Sequence, residues 1–243
     1  MNIIILSFYF SNKKILGKEK EKSKRNLNYN SLKISLKLDD ITDSTIKVIS
    51  SQFYKYPYKI SIINETYSEN IYCENCSINQ VQVNCTIDTI KLYFDFNNNP
   101  PPENMNFSKM FFNCTDIKEI TLEGSDQLQI ISTYQMFKSC KSLKKISYIN
   151  ISFTEVESME EMFFNCESLL SIDMSDLNLN KVLSTKNMFK GCKSLTTVDF
   201  SNNELENLKT AEGMFKDCHS LKSVNLTDSN TNSLENIAYM FYG

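Results

Sequence analysis

The sequence predicts a repeat solenoid: stacked coils that share a parallel β-sheet and close through short helical returns, preceded by a small β-rich N-terminal cap. Three observations predict it. The dipeptide Met-Phe returns at Met110, Met136, Met162, Met188, Met214 and Met240, every 26 residues. A cysteine stands four positions after each Met but the last, at Cys114, Cys140, Cys166, Cys192 and Cys218. Apolar columns keep the same step: Ile117, Leu143, Leu169, Leu195 and Leu221; then Ile120, Ile146, Ile172, Val198 and Val224; then Leu122, Tyr148, Met174, Phe200 and Leu226. A period of this length marks coils that cannot bury an apolar edge alone and must stack.

Within each coil the last two columns alternate with polar residues, which makes that segment a strand with one face inward. Parallel strands are expected at about 118–123, 144–149, 171–175, 197–201 and 223–227, in a right-handed array. Ile130, Val156, Val182, Leu208 and Leu234 each precede the next Met by six positions, with Thr133, Met159, Thr185, Ala211 or Ile237 between. That spacing fits one face of a helix or 3₁₀ turn, which would return the chain to the next coil.

Ahead of the array, residues 1–30 combine an apolar run (IIILSFYF) with a charged segment, Lys13 to Arg25. The run suits either the core of a secretory signal or a buried first strand, and the charged segment reads as a solvated linker. Residues 31–105 alternate apolar and polar in LKISLKL, TIKVISSQFY, YKISIINETY, SINQVQVNCTI and DTIKLYFDF, so strands are expected that cap the first coil. Asn97-Asn98-Asn99-Pro100-Pro101-Pro102 ends that region, because successive prolines cannot continue a ladder. Residues 106–243 then hold five repeats and a truncated sixth.

The five ladder cysteines share one column and are expected as buried, reduced fillers inside the coil. Cys73, Cys76 and Cys85 lie off the period. Cys73-Glu74-Asn75-Cys76 lacks the further ligands of a zinc site and the context of a redox motif, so a disulfide such as Cys76 to Cys85 is expected if the chain is secreted.

Catalysis finds little support. The single histidine, His219, stands in a variable column beside Cys218, and five scattered glycines form no phosphate-cradling loop. No cofactor, no metal and no enzymatic activity are expected. The chain carries a formal charge of -3, with seven Lys or Arg against two Glu in residues 11–30, so the remainder is acidic and disfavours nucleic acid. No apolar run reaches the ~20 residues of a membrane-spanning helix, and no membrane insertion is expected.

The candidate binding face is the outward side of the strands. It comprises Thr121, Ser147, Asp173, Asp199 and Asn225, with Ser175, Ser201 and Thr227 two positions further on, a polar and mildly acidic strip for a protein or glycan ligand. Acceptor triplets for N-glycosylation begin at Asn64, Asn75, Asn84, Asn106, Asn113, Asn150 and Asn225. Asn113, next to a ladder cysteine, is expected to be hindered.

The pattern M-F-x-x-C-x-S-L-x-x-I-D-x-S followed by V-x-x-x-x-x-M-F, fullest in Met162 to Asn187 (MFFNCESLLSIDMSDLNLNKVLSTKN), resembles the 26-residue repeat of the BspA-like leucine-rich-repeat surface proteins. The resemblance covers Met110 to Gly243. It implies leucine-rich-repeat-like coils and a cell-surface or secreted protein of bacteria or protists, engaged in adhesion or host interaction. Gly124 to Gln127 departs from the family's usual loop. The rival expectation is an intracellular, cytoplasmic leucine-rich-repeat scaffold.

Overall fold

The structure is a computed structural model that describes residues 31–38, 45–47, 50, 58–63, 68–73, 80–82, 89–95, 105–124 and 129–243. It is a β-solenoid. Five strands, one per coil, follow the predicted columns: β8 (Ile117–Gly124), β10 (Lys145–Ile149), β11 (Ser171–Asp173), β12 (Thr197–Asp199) and β13 (Ser223–Asn225). They pair in parallel at a shift of 26 residues, Ile146 beside Ile120, Val198 beside Ile172 and Val224 beside Val198. A second parallel ladder runs along another side of the coil. It begins with β7 (Met105–Asn106) on β9 (Ile130–Ser132) and continues as bridges from Ser158 to Ser184, Thr210 and Asn236.

The expected helical or 3₁₀ returns are not confirmed as helices, since no helix occurs among the described residues. The Met-Phe segments are chains of turns in which donors alternate. The N–H groups of Gln135, Phe137 and Ser139 bond to Glu160, Met162 and Phe164 of the next coil, while those of Met136, Lys138 and Cys140 close turns onto residues three positions back. A helix would spend every donor within the coil; here half of them tie coil to coil. Two left-handed residues per return permit the alternation, as at Gln135 (φ 55) and Ser139 (φ 63), Glu161 (φ 53) and Asn165 (φ 56), or Asn187 (φ 53) and Gly191 (φ 76). The apolar spacing looked helical because these turns also present Met and Phe on one face.

That face is the core. Met110, Met136, Met162 and Met188 are wholly buried with their Phe partners. The rings stack from Phe111 through Phe137, Phe163, Phe189 and Phe215 to Phe241, with centroids 5.2–5.5 Å apart and planes within 10°. The five cysteines beside them are buried and stay as thiols outside any disulfide. Each thiol from Cys140 to Cys218 donates to the carbonyl of the Phe one coil back, at 3.0–3.1 Å. This bond adds to the expected filler role, and it is the weak S–H donor that distinguishes a column of Cys from one of Ala.

At the start of the stack, β1 (Ser31–Leu38) lies antiparallel on β8, with Leu32, Ile34, Leu36 and Leu38 buried in the solenoid core. Its other edge takes β6 (Thr89–Asp95), also antiparallel. β2 (Thr45–Lys47) pairs with β5 (Gln80–Gln82), and β3 (Tyr58–Ile63) forms a hairpin with β4 (Ser68–Cys73). Ser50 adds a second tie, its N–H donating to Met110 O at 2.8 Å, where inner coils receive the N–H of a Phe from the preceding coil. The expectations for residues 1–30 and for a disulfide among Cys73, Cys76 and Cys85 lie outside the described residues and side chains.

The strand ladder is interrupted once, between β10 and β11, which belong to separate sheets. Coil two carries the bulkiest inward pair, Tyr148 packed edge-on against Phe153 with centroids 5.1 Å apart, where coil three has Met174 and Leu179. The later coils also have a clasp that coil three lacks. Asn203 Nδ2 donates to Met174 O at 2.6 Å and Ser229 Oγ to Phe200 O at 2.7 Å, each reaching one coil back; the equivalent residue of coil three is Leu177, which has no donor. Tyr148, Asn150, Ile151, Ser152 and Leu177 line an open groove of about 340 Å³ at this seam.

Candidate binding face

Strand alternation sends every second residue outward, and the parallel register aligns those residues in rows across the coils. Thr121 of β8 and Ser147 of β10 are register partners and half-buried, as is Ser35 of β1 beside Thr121. Asp173, Asp199 and Asn225 form one row across β11, β12 and β13, with Ser175, Ser201 and Thr227 just beyond the strand ends. The seam between β10 and β11 divides the predicted strip, so the eight residues form two patches rather than one.

The three-coil patch is held by its own hydrogen bonds. Asp173 Oδ1 accepts from the N–H of Ser175 at 2.9 Å and from its hydroxyl at 2.6 Å. Asn225 Oδ1 accepts from Thr227 in the same way, at 3.0 Å and 2.7 Å, and Asp199 Oδ1 accepts the N–H of Ser201 at 2.8 Å. These bonds bend the chain out of the strand in each coil, as short polar side chains do when they take over a backbone donor. Asn225 Nδ2 donates to Asp199 Oδ2 at 3.2 Å and links the row between coils. Hydrogen bonds from the Ser201 side chain and N–H, and then from Asn225, hold the Asp199 carboxyl below its ordinary range. The patch therefore presents two held carboxylates, Asp173 and Asp199, and a fixed set of hydroxyls.

On the two-coil side, β1 changes the chemistry. Lys33 pairs with Glu123 and Lys37 with Glu119, which neutralises the carboxylates of β8. The LKISLKL alternation had signalled a strand, but its partner was beyond the reach of sequence. Asn113, expected to be hindered, is exposed at a left-handed turn (φ 57), because the return turns the side chain at that position outward while Cys114 turns in. Asn150 and Asn225 are also exposed. Among the described residues, no group of His, Cys, Asp and Glu is arranged to hold a metal ion, and no helix is long and apolar enough to cross a membrane.

A family model described as "Mycoplasma protein of unknown function, DUF285" matches residues 105–227, from β7 to the end of the fifth-coil strand. No curated protein and no solved structure matches the chain.

Proposed function

The chain belongs to the DUF285 family, and from that premise we propose that it is a non-enzymatic interaction module, of the BspA-like surface-repeat kind, secreted or displayed at a cell surface for adhesion. Its ligand is a protein or a glycan held along the strand face. One observation carries the reading: Asp173, Asp199 and Asn225 stand in register on adjacent strands and are fixed by hydrogen bonds before any ligand arrives. Preorganised polar groups lose little entropy on binding, which suits them to recognition.

The test pairs a binding assay on intact cells and immobilised glycans with the variant Asp173→Lys/Asp199→Lys. A drop of about tenfold in affinity, with the thermal midpoint kept within a few degrees, is the expected result. Binding that is equal in the variant would overturn the strand-face assignment.

A second reading, the intracellular scaffold, is favoured by the five reduced thiols, which are common where the compartment is reducing. Chain recovered from its own cells that retains Met1 and carries no sugar at Asn113, Asn150 or Asn225 would select it. A trimmed, glycosylated chain would select the surface reading.

A further inference from the structure

The solenoid has a basic edge that the overall charge conceals. Between the Met-Phe return and the strand, the positions two, five and eight residues after each Met form three straight columns, each stacked by backbone hydrogen bonds between coils. The second-position column is tied by Ser139 N–H to Phe164 O and Asn165 N–H to Lys190 O, both 2.8 Å. Ser168 N–H to Lys141 O and Ser194 N–H to Glu167 O, both 3.2 Å, tie the fifth. The eighth is tied by Lys144 N–H to Lys118 O at 2.8 Å, Thr196 N–H to Leu170 O at 2.8 Å and Lys222 N–H to Thr196 O at 2.9 Å.

Across five coils these columns hold eight lysines and one acid. Lys138, Lys190 and Lys216 occupy the second position, Lys141 and Lys193 the fifth, and Lys118, Lys144 and Lys222 the eighth; the acid is Glu167. The chain as a whole carries -3, so the fold gathers positive charge here and leaves the rest more acidic still. Coil three acts as a crossbar. Its Phe164 ring lies under Lys138 at 4.6 Å and Lys190 at 5.4 Å, and its Glu167 pairs with Lys141 at 3.3 Å and Lys193 at 2.9 Å. Glu161 also pairs with Lys138 from the flank. Hydrogen bonds from Lys193 and then Lys141 hold the Glu167 carboxyl below its ordinary range, so it stays ionised and keeps both ammonium groups in place.

We propose that this edge is a docking surface for a linear acidic polysaccharide, sulfated or carboxylated, lying along the solenoid axis. The columns run for about 20 Å at one coil per ~4.8 Å. They offer evenly spaced point charges instead of donors converging on one phosphate, which suits an extended polymer with regular anionic groups. Lysine supplies charge without the bidentate geometry of arginine, so recognition is electrostatic and tolerant of sequence along the polymer. Single-strand binding relies on free aromatic platforms for the bases, and in coil three lysines already cover Phe164. Leu170, 51% exposed, is the exposed aliphatic side chain of these columns and by itself gives a bilayer little to hold. The surface adjoins the strand face, its eighth-position column lying three residues before Asp173 and Asp199 in coils three and four, but it shares no residue with that face and does not depend on the reading proposed for it.

The experiment measures binding of the full chain to heparin as the sulfated probe, with neutral dextran, phosphatidylserine vesicles and a single-stranded oligonucleotide alongside. Heparin should bind best and weaken about tenfold or more between about 50 and about 200 mM salt. Lys144→Glu/Lys222→Glu should lose about tenfold in affinity, and Lys144→Gln/Lys222→Gln a smaller factor, with the circular dichroism unchanged. The basic stretch in residues 13–25 is the same in every variant, so the difference reports the edge alone. Asp173→Asn/Asp199→Asn, in the strands beside the edge, should not weaken heparin. No heparin binding at low salt, equal binding by both lysine variants, or tighter binding to vesicles or oligonucleotide would overturn the proposal.

Discussion

The thiol of Cys166 donates a hydrogen bond to the carbonyl oxygen of Phe137, 3.1 Å away in the preceding coil. The same carbonyl already accepts the N–H of Cys140, so the thiol adds a second bond to a group that has one. Cys166→Ala should therefore cost only the buried sulfur and a weak bond, about 1–2 kcal/mol in denaturant unfolding. A thiol reagent should label the five ladder cysteines only after denaturation, and labelling of the native chain would contradict their burial.

Phe163 stacks between Phe137 at 5.2 Å and Phe189 at 5.3 Å and is fully buried. Phe163→Ala leaves a cavity open to rings on both sides and should cost about 3–5 kcal/mol. Phe241 stacks on Phe215 alone and is 63% exposed, so Phe241→Ala should cost less than about 1 kcal/mol. Equal costs at the two positions would mean that the column does not stack as described.

Gly191 sits at φ 76, and a Cβ there would run into the side-chain oxygen of Asn165 one coil back. Gly191→Ala combines backbone strain with that clash and should destabilise by about 1–3 kcal/mol. Asn165→Gly in the same chain removes the clash and tolerates the left-handed turn at that position (φ 56), while the strain at Gly191→Ala remains, so the double variant should recover part of the loss. Strict additivity in a double-mutant cycle would show that the two side chains do not meet.

Leu177 stands where Asn203 and Ser229 clasp the coil before them. Leu177→Asn should place an amide against Tyr148 O and draw β11 toward β10, raising hydrogen-exchange protection of the amides around Ile172 by about tenfold. Unchanged protection would assign the seam to the bulk of Tyr148 and Phe153 instead.

That seam also marks where the sequence stopped being legible. The period, the strands and the buried Met-Phe columns are plain in the spacing, because each coil repeats one solution to one packing problem. The turn geometry is not, since the six-residue step from Val156 to Met162 suits a helical face and a run of turns equally well, and only the left-handed residues decide. Of the candidate face, the outward columns could be read from alternation. Its division into two patches could not, because that depends on which neighbour Tyr148 meets. The basic edge was hidden for a related reason: its lysines are three residues apart within a coil and 26 apart between coils, so no local charge run exists.

Alkaline pH tests the cysteine column and Tyr148 together. Burial pushes the Cys166 and Cys192 thiols well above the ordinary 9.0, each helped by the neighbouring thiols, and the Cys218 thiol up to about 11. Burial also raises the Tyr148 hydroxyl, which is buried without a hydrogen-bond partner. For each group the folded value lies above the unfolded one, so the unfolded state loses its proton first as pH rises. The stability these groups confer is complete below the unfolded value and is lost as pH climbs toward the folded one. Each thiol should remove about 1.4 kcal/mol per pH unit above about pH 9, the three together about 4. The measurement is the urea midpoint at about pH 7, 9 and 10. Cys166→Ser/Cys192→Ser should flatten the fall by about two thirds, since serine does not titrate there. Tyr148→Phe should be neutral or stabilising at pH 7, because it deletes a polar group that has no partner, and should flatten the curve only above about pH 10. A midpoint that falls equally in the wild type and the double serine variant would show that the thiols ionise as freely in the folded chain as in the unfolded one.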